Sequence, residues 1–386
     1  MLDARDRGPM QDIDVDVAVV GGGFAGLLVA DRLSTLGYRV TVLERSPRLL
    51  AGSSSRNEGW LHAGTYHATS IADEAEALAV ARRCLFGWRE YRARYPHAIE
   101  PERHPAVAIV PDSRAADVER RWQLAGVSFA PLSRASLADM DDGVALTSEE
   151  RAYSVADVGI ETRMLAASIV RKLRTRGVEL IVDAAAHRSG EHELEVRTQG
   201  AARRVRFRFL VLATGYGTEQ ASREFGLGVV PVRLWRSHLA TVPRVAEMSV
   251  FGIQPGHAAM MNHGEWSIVG LNEDAEVVAE PGVDAEPVAT RALLEAIRFR
   301  FPSANLDRAF VRSCVKVDYA SSSTDPRSLN VRVLPVGPAA AVVLPGKMTE
   351  APVVADAAAQ VVFAALGSGD ITARPHDHLV EERLHA

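Results

Sequence analysis

DVDVAVVGGGFAGLLVADRLSTLGYRVTVLE, residues 14–44, decides the fold. Val15, Val17, Val19 and Val20 make a short β-branched run, and Gly21, Gly23 and Gly26 follow in the spacing G-x-G-x-x-G. Leu27 to Leu36 then carries apolar residues at helical spacing, and Val40, Val42 and Leu43 read as a second strand. Each glycine has its own task. The first permits a tight turn, the second lets the backbone approach a pyrophosphate, and the third lets helix pack on strand. The helix start then offers free N–H groups and the positive end of its dipole to phosphates. Glu44 closes the second strand, where a carboxylate would accept a ribose hydroxyl and disfavour a 2′-phosphate. The unit predicts a Rossmann-like, dinucleotide-binding α/β domain.

The rest of the chain limits what surrounds this unit. At 386 residues and 47% hydrophobic, it is long enough for two cores. A net charge of -5 without any charge block argues against a nucleic-acid partner. Cys84 and Cys314 are the only cysteines, too few for a disulfide framework or a cysteine-built metal site, so the default compartment is the cytoplasm. The polar, acidic first residues do not read as a secretory signal, and no integral membrane segment is expected. Lysine occurs only as Lys172, Lys316 and Lys347 among 44 basic residues. Arginine serves for surface charge, so a retained lysine draws notice as a compact, deprotonatable ammonium.

Further along, Asp73 to Tyr95 reads as a long helix, followed by a mixed region to about Asp142. Gly159 to Arg174 (helix), Val178 to Val182 (strand), a hairpin over 193–208 and Phe209 to Leu212 (strand) resume the first unit. From Val229 the texture changes to short alternating strands that predict an antiparallel sheet, with a helix at 287–300 and a strand at 310–319. A strand at 340–344 and a helix from 351 to 366 close the pattern. The expected architecture is a Rossmann-like FAD-binding domain (14–78, 150–222 and 325–370) interleaved with an antiparallel α+β substrate domain (79–149 and 223–324), with loose tails at 1–13 and 371–386. The last of these, with its PHDHLVEERLHA, reads as a solvated end rather than a metal site.

Several segments together resemble the amino-acid-oxidase-like (DAO) FAD-dependent oxidoreductases, nearest the branch of L-2-hydroxyglutarate and FAD-linked glycerol-3-phosphate dehydrogenases. They are the opening unit, SSSRNEGWLHAGTY (53–66), GIETRMLAASIVRKLRTRGVEL (159–180), LATGYG (212–217) and VVLPGKMTEAPVVADAAAQ (342–360). The N-x-G-x-x-H-A-G-x-Y of the second is similar to the hydroxyglutarate branch, and G-K-M-T to the glycerophosphate branch. Where relatives carry an arginine in a G-x-R-P segment, this chain has CVKVDY (314–319), with Lys316 and no proline.

The resemblance implies FAD, held by Gly21, Gly23, Phe24, Ala25, Gly26, Glu44, Arg45, Ser54, Ser55, Gly59, Leu61, His62, Ala213, Gly215, Gly346, Lys347, Met348 and Thr349. The amides of the 345–349 turn, ahead of the last helix, would meet the flavin's C2 oxygen, and Lys347 would neutralise charge there or touch substrate. His62 is the expected base, since an imidazole titrates near working pH. Tyr66, Arg236, His238, His257, Lys316 and Tyr319 are the expected substrate contacts, and several cations converging on one cavity would suit an anionic substrate. The expected reaction is oxidation of a CH–OH group of a small polar, anionic molecule by hydride transfer to flavin N5, with oxygen or another acceptor reoxidising the flavin. Alternatives are oxidation of an amine CH–NH, or a flavin-binding accessory protein without dehydrogenase turnover.

Overall fold

Val17–Val20 lies inside a six-stranded sheet ordered Arg332–Pro335, Ala340–Leu344, Phe209–Leu212, Val17–Val20, Val40–Leu43 and Glu179–Ile181. The computed structural model describes residues 12–199, 201–272, 275–282, 284–320 and 331–367. Neighbouring strands are parallel except for the antiparallel edge pair of 332–335 with 340–344. The inner strands are apolar throughout because both faces are covered. Val17, Val19, Val211 and Val343 face one side, against Leu27 and Leu33 of helix Phe24–Thr35, Leu165 and Ile169 of Thr162–Thr175, and Val354 and Ala358 of Ala351–Leu366. Ala18, Leu210, Leu212 and Val342 face the other, against Leu194, Val196 and Val205. Those three belong to a four-stranded sheet built on the hairpin Glu193–Thr198/Ala201–Arg206. The α/β class expected from the sequence is the class of the fold.

The second large sheet has nine strands, and Val232–Pro243 organises it. One edge of that strand pairs with Phe310–Tyr319, while the other pairs with Trp266–Leu271 and then Glu276–Val278. The sheet continues through Ala258–His263 and Val250–Gly252 to Ala106–Pro111, Glu150–Val155 and Phe129–Leu132. Two features differ from the sequence reading. The pair of Val250–Gly252 with 107–109 is parallel, so the sheet is not wholly antiparallel. Its last three strands come from the mixed region and from Glu150–Val155, which the expected boundary at 150 had given to the FAD domain. Short strands separated by helices carry weak alternation, and only long-range pairing reveals them.

Helix Glu74–Arg94 is continuous across the boundary expected at 78. Asp73 caps it by accepting the Glu76 N–H at 2.8 Å, and Glu74 and Glu76 sit at the positive end of its dipole. Ile13–Asp14 pairs with Val205 and Arg206, so residue 13 belongs to a sheet rather than to a tail. Residues 1–11 and 368–386, including the PHDHLVEERLHA tail, lie outside the described residues. Among the described residues one segment, Met348–Leu366, is long and apolar enough to cross a membrane. Its buried positions, among them Val354, Ala355, Ala358 and Val362, are part of the core over the six-stranded sheet, which explains its apolarity.

Candidate active site

The glycine turn is locked by steric exclusion. Gly21 has φ +113°, and a Cβ there would come within 2.3 Å of the Ala213 carbonyl oxygen; one on Gly26 would meet the Gly21 oxygen at 2.0 Å. Gly26 therefore serves helix–strand packing. Gly23 stands just ahead of the helix in extended conformation, and Ser54 Oγ accepts the Phe24 N–H at 3.1 Å. Glu44 accepts the Gly22 N–H at 2.7 Å and the Ser46 N–H at 2.8 Å, tying the strand end to the turn. Two carboxylate oxygens offer about four acceptor positions, so a ribose hydroxyl can still be taken.

From this turn a cavity of about 560 Å³ extends to the nine-stranded sheet. Gly21, Gly23, Phe24, Ala25, Glu44, Arg45, Ser54, His62, Tyr66, Ala213, Gly215, His238, Lys316, Gly346, Lys347, Met348 and Thr349 all line it. One cavity thus joins residues separated by more than 300 positions in the chain. Its shape and donors fit a dinucleotide: a helix N-terminus at a glycine turn, a ribose-accepting carboxylate, and a second turn ahead of helix Ala351–Leu366.

That second turn is braced by the long helix. Tyr91 Oη donates to the Met348 carbonyl at 2.9 Å, Arg83 Nε to Glu350 at 2.7 Å, and Lys347 Nζ lies 3.5 Å from Glu350 Oε2. Glu350 is fully buried and shared by two cations, which leaves net positive charge beside the turn. Thr349 joins the turn to the His62 strand, accepting the His62 N–H at 3.2 Å and donating to the Trp60 carbonyl at 3.3 Å.

His62 stacks on Trp60, with ring centroids 5.6 Å apart, and meets His67 edge-on at 4.7 Å. Its Nδ1 is buried without a hydrogen bond, 3.6 Å from Asp157 Oδ1. Asp157 is itself held by Trp60 Nε1 at 3.1 Å and by the Thr65 hydroxyl. This leaves the Nε2 edge of His62, whose side chain is 23% exposed, for the cavity. His67 lies behind, with Nδ1 3.7 Å from Cys84 Sγ. Burial, then the charges of Lys347, His62, Lys316 and Arg83, holds its pKa well below the ordinary value, so His67 stays neutral. Burial and the Glu350 carboxylate push the Cys84 thiol up, which keeps it unreactive.

Strand alternation decides which residues of the sheet reach the cavity. On Val232–Pro243, Trp235 and Ser237 line it, and across the ladder Trp235 opposes Lys316 while Ser237 opposes Cys314. Arg236, between them, points to the other face, where its Nε donates to Glu276 at 2.6 Å and Glu286 lies 3.0 Å away. Tyr319, three residues after Lys316, faces away and packs beside Val232 and Val278. His257 is farther off, with Nδ1 3.3 Å from Arg300 and 3.7 Å from Glu150 at a separate small cavity. His238 reaches the main cavity, while its Nε2 accepts the Glu286 N–H at 3.2 Å.

Four of the expected cofactor contacts also lie outside the lining, Gly26 being taken up by helix–strand packing. Leu61 is fully buried in the helical core, Ser55 Oγ bonds the Gly52 carbonyl at 3.3 Å, and Gly59 is needed for its φ of +65° beside His263. Of the cations expected to converge, Lys316 on the sheet and Lys347 on the turn line the cavity, each with a carboxylate within 4 Å.

Sequence reasoning passed over Asp157, Glu58, Trp235 and Ser237. Asp157 is a lone acid in the apolar run YSVADVGI, a signal for a buried partnered carboxylate. Glu58 faces Lys316 at 3.9 Å. Burial alone would raise its pKa; Lys316, its own backbone N–H and His62 outweigh this and hold it below the usual carboxylate value.

A family model described as FAD dependent oxidoreductase (DAO) matches residues 16–334. Among curated proteins the chain is 27% identical over 241 residues to the tRNA 5-methylaminomethyl-2-thiouridine biosynthesis bifunctional protein MnmC of Burkholderia pseudomallei, covering 59% of this chain and 35% of that protein. The chain thus spans about a third of the length of the curated relatives it matches. Among solved structures, L-alpha-glycerophosphate oxidase from Mycoplasma pneumoniae superposes with a TM-score of 0.75 at 14% identity, over 90% of this chain and 94% of that one. Glycine oxidase from Geobacillus kaustophilus gives 0.71 at 18% identity, over 93% and 97%. L-proline dehydrogenase from P. horikoshii gives 0.70 at 15% identity, over 94% and 96%. At these identities the structural likeness establishes the fold.

Proposed function

The chain belongs to the DAO family of FAD-dependent oxidoreductases, and on that premise we propose that it oxidises a CH–OH group of a small polar substrate, with His62 as the base and Asp157 as its positioning residue. FAD, when bound, takes the electron pair released from the oxidised carbon. The residues that would hold it are Gly21, Gly23, Phe24, Ala25, Glu44, Arg45 and Ser54 at the nucleotide end, with Gly346, Lys347, Met348 and Thr349 at the other.

The observation that carries the reading is the His62–Asp157 arrangement on the cavity wall. A hydroxyl must give up its proton as its carbon is oxidised, whereas a neutral amine already has a lone pair to share and needs no base at that moment. His62 Nδ1 faces the buried Asp157 carboxylate, which leaves the Nε2 edge to meet a substrate proton. Asp157 also stabilises the cation formed when the proton arrives, and Trp60 and Thr65 fix Asp157 in turn. Net positive charge at Arg83, Lys347 and Glu350 suits a region that must hold an extra negative charge.

The second reading, CH–NH oxidation, draws on the amino-acid oxidases among the structural neighbours. Anaerobic mixing of the oxidised holoenzyme with polyols, hydroxy acids and amino acids, followed by flavin absorbance, separates the two. A hydroxyl compound is expected to bleach the flavin, and Asp157→Asn to slow that reduction by about 100-fold with substrate affinity unchanged. Asp157→Glu is expected to recover part of the rate, which a merely structural role would not require. Bleaching by amino acids alone refutes the reading.

A further inference from the structure

We propose that Glu350 and Arg83, which lie behind the cofactor turn, set the reduction potential of the bound FAD in opposite senses, the carboxylate lowering it and the guanidinium raising it. Neither side chain lines the cavity, so both are positioning residues that act across the turn rather than by contact. The inference concerns the cofactor alone and holds whether a hydroxyl or an amine is oxidised.

Glu350 is fully buried and sits at the start of helix Ala351–Leu366. Its Oε1 accepts from Arg83 Nε at 2.7 Å, and Lys347 Nζ, whose residue lines the cavity, lies 3.5 Å from Oε2. Oε2 itself has no hydrogen bond among the described residues, and Arg83 Nη2 is likewise buried and unbonded. A carboxylate taken out of water with one oxygen unbonded is costly. A glutamine of the same shape would accept the Arg83 bond as well. The turn is also held by neutral bonds, from Tyr91 Oη to the Met348 carbonyl and through Thr349 to the strand of His62. What the charge supplies, and a glutamine would not, is a field across the turn.

That field reaches the cavity. His67 lines it, and burial, followed by charges that include Lys347 and Arg83, holds the pKa of His67 below its ordinary value. Burial and then Glu350 push up the thiol of Cys84, whose Sγ is 3.7 Å from His67 Nδ1. The same charges therefore act on a flavin held by Gly346, Lys347, Met348 and Thr349. Reduction to the anionic two-electron form takes up two electrons and one proton and leaves one more negative charge on the cofactor. A cation beside the turn favours that form over the oxidised one, and an anion disfavours it. Glu350 thus keeps the reduced cofactor a stronger electron donor than the neighbouring cations alone would leave it. The sign of each effect follows from the one charge concerned, whatever other partners Lys347 has.

The test is the midpoint potential of the purified holoenzyme, measured anaerobically against a reference dye during dithionite reduction, with no substrate present. Glu350→Gln removes the charge and keeps the shape. It is expected to raise the ratio of reduced to oxidised FAD affinity about tenfold, which for a two-electron couple is a rise of about 30 mV. Arg83→Met in that background should bring the potential back down by about 30 mV. Glu350→Asp, which keeps the charge while disturbing the packing, should stay near the wild-type value. A purely structural role predicts instead that Glu350→Asp departs at least as far as Glu350→Gln. That pattern, an unchanged or lower potential in Glu350→Gln, or a double variant that stays at the Glu350→Gln value overturns the proposal. Should Glu350→Gln not retain FAD, the single Arg83→Gln variant carries the test, with a fall of about 30 mV expected and an unchanged potential counting against it. Because dithionite supplies the electrons, failure here leaves the CH–OH reading standing, and failure of that reading leaves these potentials standing.

Discussion

Gly87→Ala probes whether the long helix sets the geometry of the cofactor turn. Gly87 sits buried in Glu74–Arg94, and a Cβ there would lie 1.8 Å from the Thr349 carbonyl oxygen, where real Cβ contacts essentially never fall below 3.0 Å. The helix or the turn must therefore give way by more than an ångström. The helix cannot move alone, because Arg83 and Tyr91 bond Glu350 and the Met348 carbonyl from the same side. Overpacking of this kind costs about 1–3 kcal/mol, against about 1 kcal/mol gained by replacing glycine with alanine inside a helix. Global stability is expected to fall by about 0–2 kcal/mol as the difference of those two terms. The strain concentrates on Thr349, which holds His62 and Trp60, and on the Gly346–Thr349 turn that would meet the flavin. If about 1–2 kcal/mol of it is relieved only by displacing the turn, FAD affinity drops about 5- to 30-fold. Titrating apoprotein with FAD by flavin fluorescence quenching, alongside urea unfolding, measures both quantities. A variant with unchanged FAD affinity and unchanged unfolding would refute the reasoning, since no relaxation could then have been needed.

Two further outcomes follow from the site. Glu44→Gln turns an amide NH2 towards the Gly22 or Ser46 N–H that the carboxylate now accepts, and FAD dissociation is expected to rise about tenfold for the lost acceptor; an unchanged dissociation constant would remove Glu44 from the cofactor site. His263 faces Glu100 Oε1 at 3.0 Å and the Glu58 carbonyl at 2.7 Å, and although burial opposes it, these acceptors raise its pKa. A raised folded value means the contribution to stability is complete below the unfolded value of about 6.5 and is lost as pH rises through the folded value. Urea unfolding should therefore show stability declining above about pH 6.5, and His263→Gln should flatten that dependence; a parallel decline in both proteins counts against it.

The nucleotide end of the cavity was largely legible because its determinants are local. Gly21, Gly23, Gly26 and Glu44 lie within one βαβ unit, and the positive φ of Gly21, the close approach of Gly26 to the Gly21 carbonyl and the Glu44–Gly22 bond all fall inside it. The same holds for the elements at 74–94, 287–300, 340–344 and 351–366, whose apolar runs or periodicity are long enough to fix type and extent. The nine-stranded sheet was half legible, since Ala106–Pro111, Phe129–Leu132 and Glu150–Val155 have partners from distant or separately folded segments.

By itself the sequence determined the α/β fold and a dinucleotide-binding unit, because residue type and short-range spacing carry that information, while FAD and the candidacy of His62, Lys316 and Lys347 came with the family resemblance. Only the tertiary structure decided which side chains share the substrate end. Alternation along Val232–Pro243 turned Arg236 away and Trp235 and Ser237 inward, and a one-residue change of register would reverse that choice. Asp157 reached His62, and Glu58 reached Lys316, through contacts that no local pattern encodes. Charge was decided there as well. Of the cations expected to converge, Arg236 and His257 stand beside carboxylates away from the cavity, while Lys316 and Lys347, which line it, each have a carboxylate within 4 Å.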